Sequence, residues 1–248
     1  MIAPRPLAFD LFSGLGGWAE GLISEGWRVI GVDIEDMFAA VGVPRPEHYE
    51  LLVRDVLTVH GTELAAADLI VSSSPCTKYS YMAMPWKLAK AKAAAIRADE
   101  TGEALRELNA LFNAQFRIQR EASEAKGEYI PMVVENVRGA QPWVGPAAWS
   151  YGSFYLWGDV PALMPRPHDA RKNPGFRFDG SGRSFQTESV DRHIKGTGGT
   201  WFDDAASPMR VGHSKSPARK AATAHIAKIP AVLARHVGRT FYPREIAA

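Results

Sequence analysis

Three observations in the sequence predict an α/β fold with an open, mostly parallel sheet. Short apolar runs rich in Val and Ile recur through roughly the first 140 residues, each ending at or just after an acidic or small polar residue. Helical patterns separate these runs. The first of them, "PLAFDLFSG", passes straight into a glycine-rich turn, as a strand does when it feeds a helix N-terminus.

"WAEGLISEGW" follows that turn and places Trp18, Leu22 and Ile23 on one helical face. "RVIGVDI", "LLVRDV" and "ADLIVSS" then read as buried parallel strands. From Leu88 to about Lys126 the chain is rich in Ala, Glu, Lys and Leu, with Leu105, Leu108, Phe112 and Phe116 at helical spacing. This predicts one long or broken helix. "YIPMVVENV" returns as a strand. Open α/β sheets bind ligands at strand carboxyl ends, so the functional groups should share one rim. After Pro142 periodicity fades until "ARKAATAHIAKIPAVLARHVGRTF", which reads as helix. The expected organisation is a main α/β domain over 1–158, a small irregular region over 159–213, and a C-terminal helix over 214–248 that returns to the main domain.

At 248 residues, 46% hydrophobic and 23% charged, the chain can bury one substantial core and is not disordered. A single cysteine, Cys76, excludes an intramolecular disulfide and a Cys-rich zinc site, so no metal is expected. "MIAPRPLAFDLF" lacks signal-peptide features, and no run of about 18 apolar residues could span a bilayer, which together predict a soluble cytoplasmic protein. A net charge of +2 permits a polyanionic partner without requiring one. Within 159–213, Arg166, Arg171, Lys172, Arg177, Arg183, Arg192 and Lys195 outnumber the acids, as a nucleic-acid surface or merely a solvated one would.

Gly14, Gly16 and Gly17 stand at the mouth of the first strand, where missing Cβ atoms let backbone crowd a nucleotide-like ligand. A simple tight turn would use the same residues, and Gly14, Gly16 and Ala19 also satisfy the loose dinucleotide pattern. Asp33 and Asp55 close the next two strands and could accept from a ribose diol and an adenine amino group, or cap the turns that follow. Cys76 lies on the same rim, as a nucleophile or an inert buried thiol. Glu135 and Asn136 leave a wholly apolar strand, and a carboxyl sequestered there could hold a proton for a ring nitrogen.

Together, "DLFSGLGG", "SPC" and "ENV" resemble, in order and approximate spacing, the signature blocks of the DNA (cytosine-5-)-methyltransferase family, in its compact phage and bacterial form. The resemblance covers Phe9 to about Gly139 and, more loosely, the C-terminal helix. It implies a Rossmann-like S-adenosylmethionine-dependent methyltransferase fold, with 159–213 as target-recognition region. By the same resemblance, Phe12, Gly14, Leu15, Gly16, Gly17, Asp33, Ile34, Asp55 and Pro75 would line the S-adenosylmethionine site. Cys76 would be the nucleophile, Glu135 would bind the base, and Asn136 would complete the catalytic set. Double-stranded DNA would be the partner of a monomeric enzyme that flips its target base and belongs to restriction-modification. Thr77, Lys78, Tyr79 and Ser80, within a mobile loop "TKYSYMAMPWK", would contact it, as would Arg138, Arg171, Arg177, Arg183, Arg192 and Lys195, with Trp157 a further candidate.

Three rivals remain at this point. A tRNA cytosine methyltransferase would share the "PC" and "ENV" blocks. A dinucleotide-dependent oxidoreductase would share the glycine turn but leave Cys76 and Glu135 unexplained. A catalytically silent nucleic-acid-binding homologue would fit two departures from the family: no paired arginines, and Lys228 where a Gly-Asn pair would be sought.

Overall fold

A computed structural model describes residues 4–79, 86–165, 224–225 and 227–243. Most of the expected target-recognition region, with Arg171, Arg177, Arg183, Arg192 and Lys195, lies outside the described residues, as does Ser80.

Strand β1 (Leu7–Leu11) is buried throughout. It leads through the glycine turn to helix α1 (Gly17–Ser24) and then to β2 (Arg28–Asp33). Helix α2 (Met37–Val41) and the edge strand β3 (Tyr49–Val53) follow. β4 (Leu69–Ser72) is the run "LIVS" of the sequence reading. The long helical stretch is broken, as α3 (Trp86–Ala98) and α4 (Glu103–Lys126). The break has a local cause: Asp99 accepts hydrogen bonds from the Thr101 and Ala104 amides, and Gly102 takes φ +69° immediately before α4. β5 (Met132–Asn136) is again fully buried. A short helix α5 (Gln141–Val144), strands β6 (Trp149–Tyr151) and β7 (Phe154–Gly158), and helix α6 (Ala231–Phe241) complete the described elements.

The strands form one seven-stranded sheet in the order β3-β2-β1-β4-β5-β7-β6. β3 through β5 run parallel, and β7 is antiparallel to both its neighbours. This is a Rossmann-like mixed α/β fold, as the sequence predicts. The β6–β7 pair is an addition to that reading, because "SYGSFYLWGDV" carries no long apolar run of its own and gains its strand character by pairing with β5.

Each face of the sheet is covered. Ala8, Val29 and Val71 point to a cluster with Trp18, Leu22, Leu233 and Val237 of α1 and α6. Leu7, Phe9, Ile70 and Val134 point to another with Phe112, Ile118 and Ala122 of α4. α6 joins the first layer at very short range. A Cβ on Gly21 would collide with the Ala234 methyl and the Arg235 amide, and one on Gly17 would meet the Ile229 backbone. The Trp27 indole N–H also donates to the Gly238 carbonyl at 3.0 Å.

Gly21→Val should therefore destabilise the protein by about 2 kcal/mol through overpacking, despite the intrinsic helix penalty of glycine. Urea unfolding would measure this, and an unchanged midpoint would mean that α6 does not pack against α1 in this way.

Candidate active site

The strand order reverses between β1 and β4, the position at which an open α/β sheet leaves a crevice outside its carboxyl ends. The glycine turn follows β1 and the Cys76 loop follows β4. Both therefore open onto that crevice.

The turn is built under constraint. Phe12 adopts φ +59°, an uncommon value for a residue with a Cβ. It is held there because the Phe12 and Ser13 amides both donate to the Val32 carbonyl, at 2.8 and 3.2 Å. Gly14 takes φ +52°, and nothing lies within 4 Å of where its Cβ would be. Its amide donates to Asp33 Oδ2 at 2.8 Å, while the Glu35 amide donates to Oδ1 at 3.3 Å. Asp33 thus stitches the first turn to the end of β2. Beside it Ile34 is 73% exposed, an apolar side chain left facing solvent on the rim. Gly16 takes φ +64° as the N-cap of α1 and supplies no side-chain cap to the helix amides.

Other residues of the expected cofactor set have structural duties. The Leu15 side chain is buried in the core, and Gly17 is required by the approach of Ile229. Only their backbones can face the crevice. Asp55 Oδ1 accepts from the Leu57 amide at 2.9 Å, so the capping role is present at this residue. Pro75 is exposed.

The sequence reading did not single out Asp10. It lies in β1, is 1% exposed, and neither carboxylate oxygen has a hydrogen-bond partner. Burial, reinforced by the nearby Asp33 charge, holds its pKa well above the ordinary carboxylate range. The Ala19 amide in the first turn of α1 offsets this only partly and does not reach hydrogen-bonding geometry. Asp33 is raised as well, first by burial and against the pull of the Gly14 amide. Tyr49 closes this polar pocket from β3: its hydroxyl donates to Ser13 Oγ at 2.9 Å and fits the space left by Gly31. The signal for Asp10 was present in "LAFDL", an acid inside an otherwise apolar strand.

The Cys76 loop is the most heavily anchored part of the rim. Ser72 Oγ donates to the Leu11 carbonyl of β1 at 3.3 Å. Ser73 Oγ accepts from the Trp18 indole of α1 at 3.0 Å. Asn136, fully buried at the end of β5, donates its amide to both the carbonyl and the hydroxyl of Ser74, each at 3.0 Å. Gln115 of α4 donates to the same hydroxyl at 3.3 Å. Three consecutive serines thus connect β1, α1, β5 and α4 immediately ahead of Pro75 and Cys76. Asn136, expected in the catalytic set, has its amide engaged in this frame.

Beyond Cys76 the Tyr79 amide donates to the Cys76 carbonyl at 3.0 Å, closing a tight turn. Tyr79 was expected on a mobile loop over nucleic acid; its ring is instead buried, with its hydroxyl donating to Asn109 Oδ1 at 3.0 Å. Burial lifts that hydroxyl to about 12. α4 therefore grips the Cys76 loop on both sides, through Gln115 before it and Asn109 after it. Cys76 is half-buried, whereas Thr77, Lys78 and Arg138 are exposed on the rim. Trp157 is buried against Phe112, and its indole donates to the Gly145 carbonyl, so its ring belongs to the core. Glu135 is 5% exposed in β5, between β4 and β7. Since Ser72 pairs with Val134, Cys76 and Glu135 arise from neighbouring strand ends.

No family model matches the chain, and no curated protein matches it in sequence. Among solved structures, it is similar to a protein described as a DNA modification methyltransferase encoded within an E. coli prophage, at 19% identity and TM-score 0.35, covering 55% of this chain and 33% of that one. It is also similar to the S. pombe Dnmt2 methyltransferase, at 14% identity and TM-score 0.34, covering 57% and 37%. A third likeness is to the 16S rRNA (adenine(1408)-N(1))-methyltransferase of Catenulisporales acidiphilia, at 14% identity and TM-score 0.28, covering 64% and 60%. The chain thus spans about a third of the first protein's length and under two fifths of the second's.

Two consequences are measurable. Asn136→Ala leaves the Ser74 carbonyl and hydroxyl short of buried donors and should destabilise the protein by about 2 kcal/mol in urea unfolding; a change within error would dissolve the serine frame. For Asp10, the folded state retains a proton that the unfolded chain releases near its ordinary pKa. Stability is thus lost as pH rises from the unfolded pKa towards the folded one. The melting temperature of Asp10→Asn relative to the native chain should increase as pH rises above the ordinary carboxylate range. A pH-independent difference would contradict a protonated Asp10.

Proposed function

We propose that the chain transfers a methyl group from S-adenosylmethionine to C5 of cytosine in DNA, through a covalent bond from Cys76 to C6 of a flipped-out base. One observation carries this reading: Cys76 and Glu135 rise from adjacent strand ends beside the glycine turn, with Asn136 bonded to Ser74 across the gap.

The crevice residues fit the cofactor. Gly14 leaves open space above its backbone, Asp33 offers carboxylate oxygens at the end of β2, Ile34 presents an apolar face for a purine, and Asp10 is a buried acid without a partner. When bound, S-adenosylmethionine supplies an electrophilic methyl group on a sulfonium.

Cytosine C5 is too electron-poor to take that methyl unaided. Addition of the Cys76 thiolate to C6, with Glu135 giving a proton to N3, turns C5 into an enamine carbon that would take the methyl group, the sulfur–methyl bond breaking to leave a neutral thioether. Loss of the C5 proton to water then expels the thiolate, and N3 returns its proton to Glu135. The ring is restored and Cys76 is free again. The serine frame holds the loop backbone at the crevice, so little reorganisation remains to be made during the reaction. Extruding the base costs a few kcal/mol, which phosphate contacts and the pocket must offset.

Incubation with S-adenosylmethionine and unmodified duplex DNA, followed by nucleoside mass spectrometry, should yield 5-methyldeoxycytidine. Cys76→Ser should give none while still binding S-adenosylmethionine. Product from that variant would remove the covalent mechanism, and product on tRNA but not on DNA would move the reading to RNA. Glu135→Gln should slow turnover by at least about a hundredfold, and a loss below about tenfold would count against proton donation.

A further inference from the structure

Asp10 takes no step in the chemistry above, yet an acid buried without a partner is costly to keep. It stands on β1 in register with Gly31 of β2 and Val71 of β4, is 1% exposed, and finds no hydrogen-bond partner for either oxygen. Among the described residues, the elements packed around it bring little relief. β2 supplies the Asp33 carboxylate, whose charge repels it. β3 supplies the Tyr49 hydroxyl, already bonded to Ser13 Oγ. α1 offers the Ala19 amide of its first turn, and β4 the apolar Val71. The charge acting on Asp10 is thus that of another acid, and the group that would suit it is a cation.

Strand order indicates where such a cation would lie. β1 sits between β2 and β4 in the sheet. Asp33, placed for the ribose, ends β2, and the Cys76 loop leaves β4. In S-adenosylmethionine the sulfonium stands between the ribose and the methyl group. A donor that reaches from Asp33 towards a base at Cys76 must therefore cross the end of β1, where each neighbouring strand is about 4.8 Å away. Asp10 is the acid of that strand.

We propose that Asp10 is the counter-charge of the donor's sulfonium and makes the crevice discriminate the methylated cofactor from its neutral thioether product. The inference rests on the S-adenosylmethionine part of the reading above and adds a specificity-determining residue to it. With the crevice empty, burial and the Asp33 charge keep the proton on Asp10. A cation brought beside the carboxyl favours its charged form, so the proton leaves to solvent as the donor binds. Methyl transfer removes the charge from sulfur, and Asp10 takes a proton back from solvent. The amino-acid end is the same in donor and product, so the sulfonium is the group that separates them.

Titration calorimetry of the intact chain tests this without turnover, using S-adenosylmethionine and S-adenosylhomocysteine in buffers of different ionisation heat. The native chain should release about one proton on binding the first and none on binding the second. Affinity for the first should rise as pH rises above the ordinary carboxylate range, while affinity for the second stays level. In Asp10→Asn the released proton should vanish and S-adenosylmethionine affinity should fall by at least about tenfold, with S-adenosylhomocysteine changed by less than about threefold. If that variant does not fold, the native proton count and pH dependence decide. Equal proton counts for the two ligands, or an affinity ratio that survives the substitution, overturn the proposal and leave methylation standing. Proton release that persists in Asp10→Asn belongs to another group and overturns it equally. A native chain that binds neither ligand removes the S-adenosylmethionine reading and this inference with it.

Discussion

The site depends above all on the hydrogen-bonded frame around Ser72, Ser73 and Ser74. A strand end in a parallel sheet is usually a mobile place, since the chain leaves the ladder and its polar groups lose their partners. Here each serine is tied to a different element: β1 through the Leu11 carbonyl, α1 through the Trp18 indole, and β5 with α4 through Asn136 and Gln115. The three donors to this frame, Trp18, Asn136 and Gln115, each lie more than 40 positions away along the chain. The thiol two residues further on inherits the rigidity of four elements, and the Tyr79 hydroxyl bond to Asn109 fixes the far side of the turn. Mostly neutral, buried hydrogen bonds are suited to this duty, because they lose little to salt and fix direction as well as distance.

The second constraint is the strand order. The reversal between β1 and β4 puts the glycine turn and the serine frame on either side of one crevice, with Asp33 one strand further out. Polar groups concentrate there at a cost. Asp10 is buried without a partner, Asp33 is raised by burial, and the Tyr49 hydroxyl is pushed up by burial and by the Asp10 charge. Local polar groups without compensation mark places where structure is arranged for something other than stability.

Much of this was legible in the sequence, for physical reasons. Parallel strands buried on both faces must be apolar runs, so β1, β2, β4 and β5 are visible as such. The glycine turn and the acid at the end of β2 are local features with local signatures. What escaped was decided by distant partners. β7 becomes a strand only by pairing with β5, and β6 by pairing with β7, and nothing near Tyr79 announces that α4 will bury its ring. Gly17 reads as a ligand glycine, whereas its hydrogen is needed by Ile229, more than 200 residues later. Asp10 could have been found by the argument applied to Glu135, since an acid in an apolar strand needs a reason wherever it falls.

The central claim is that Cys76 forms a bond to the C6 carbon of cytosine. A duplex with 5-fluorocytosine at the target position tests it most directly, because fluorine cannot leave C5 as a proton does and the adduct cannot resolve after methyl transfer. With S-adenosylmethionine present, intact-protein mass spectrometry under denaturing conditions should show the chain carrying the oligonucleotide, with peptide mapping placing the bond at Cys76. A chain that methylates the unmodified duplex yet emerges from the fluorinated one at its own mass would contradict the account.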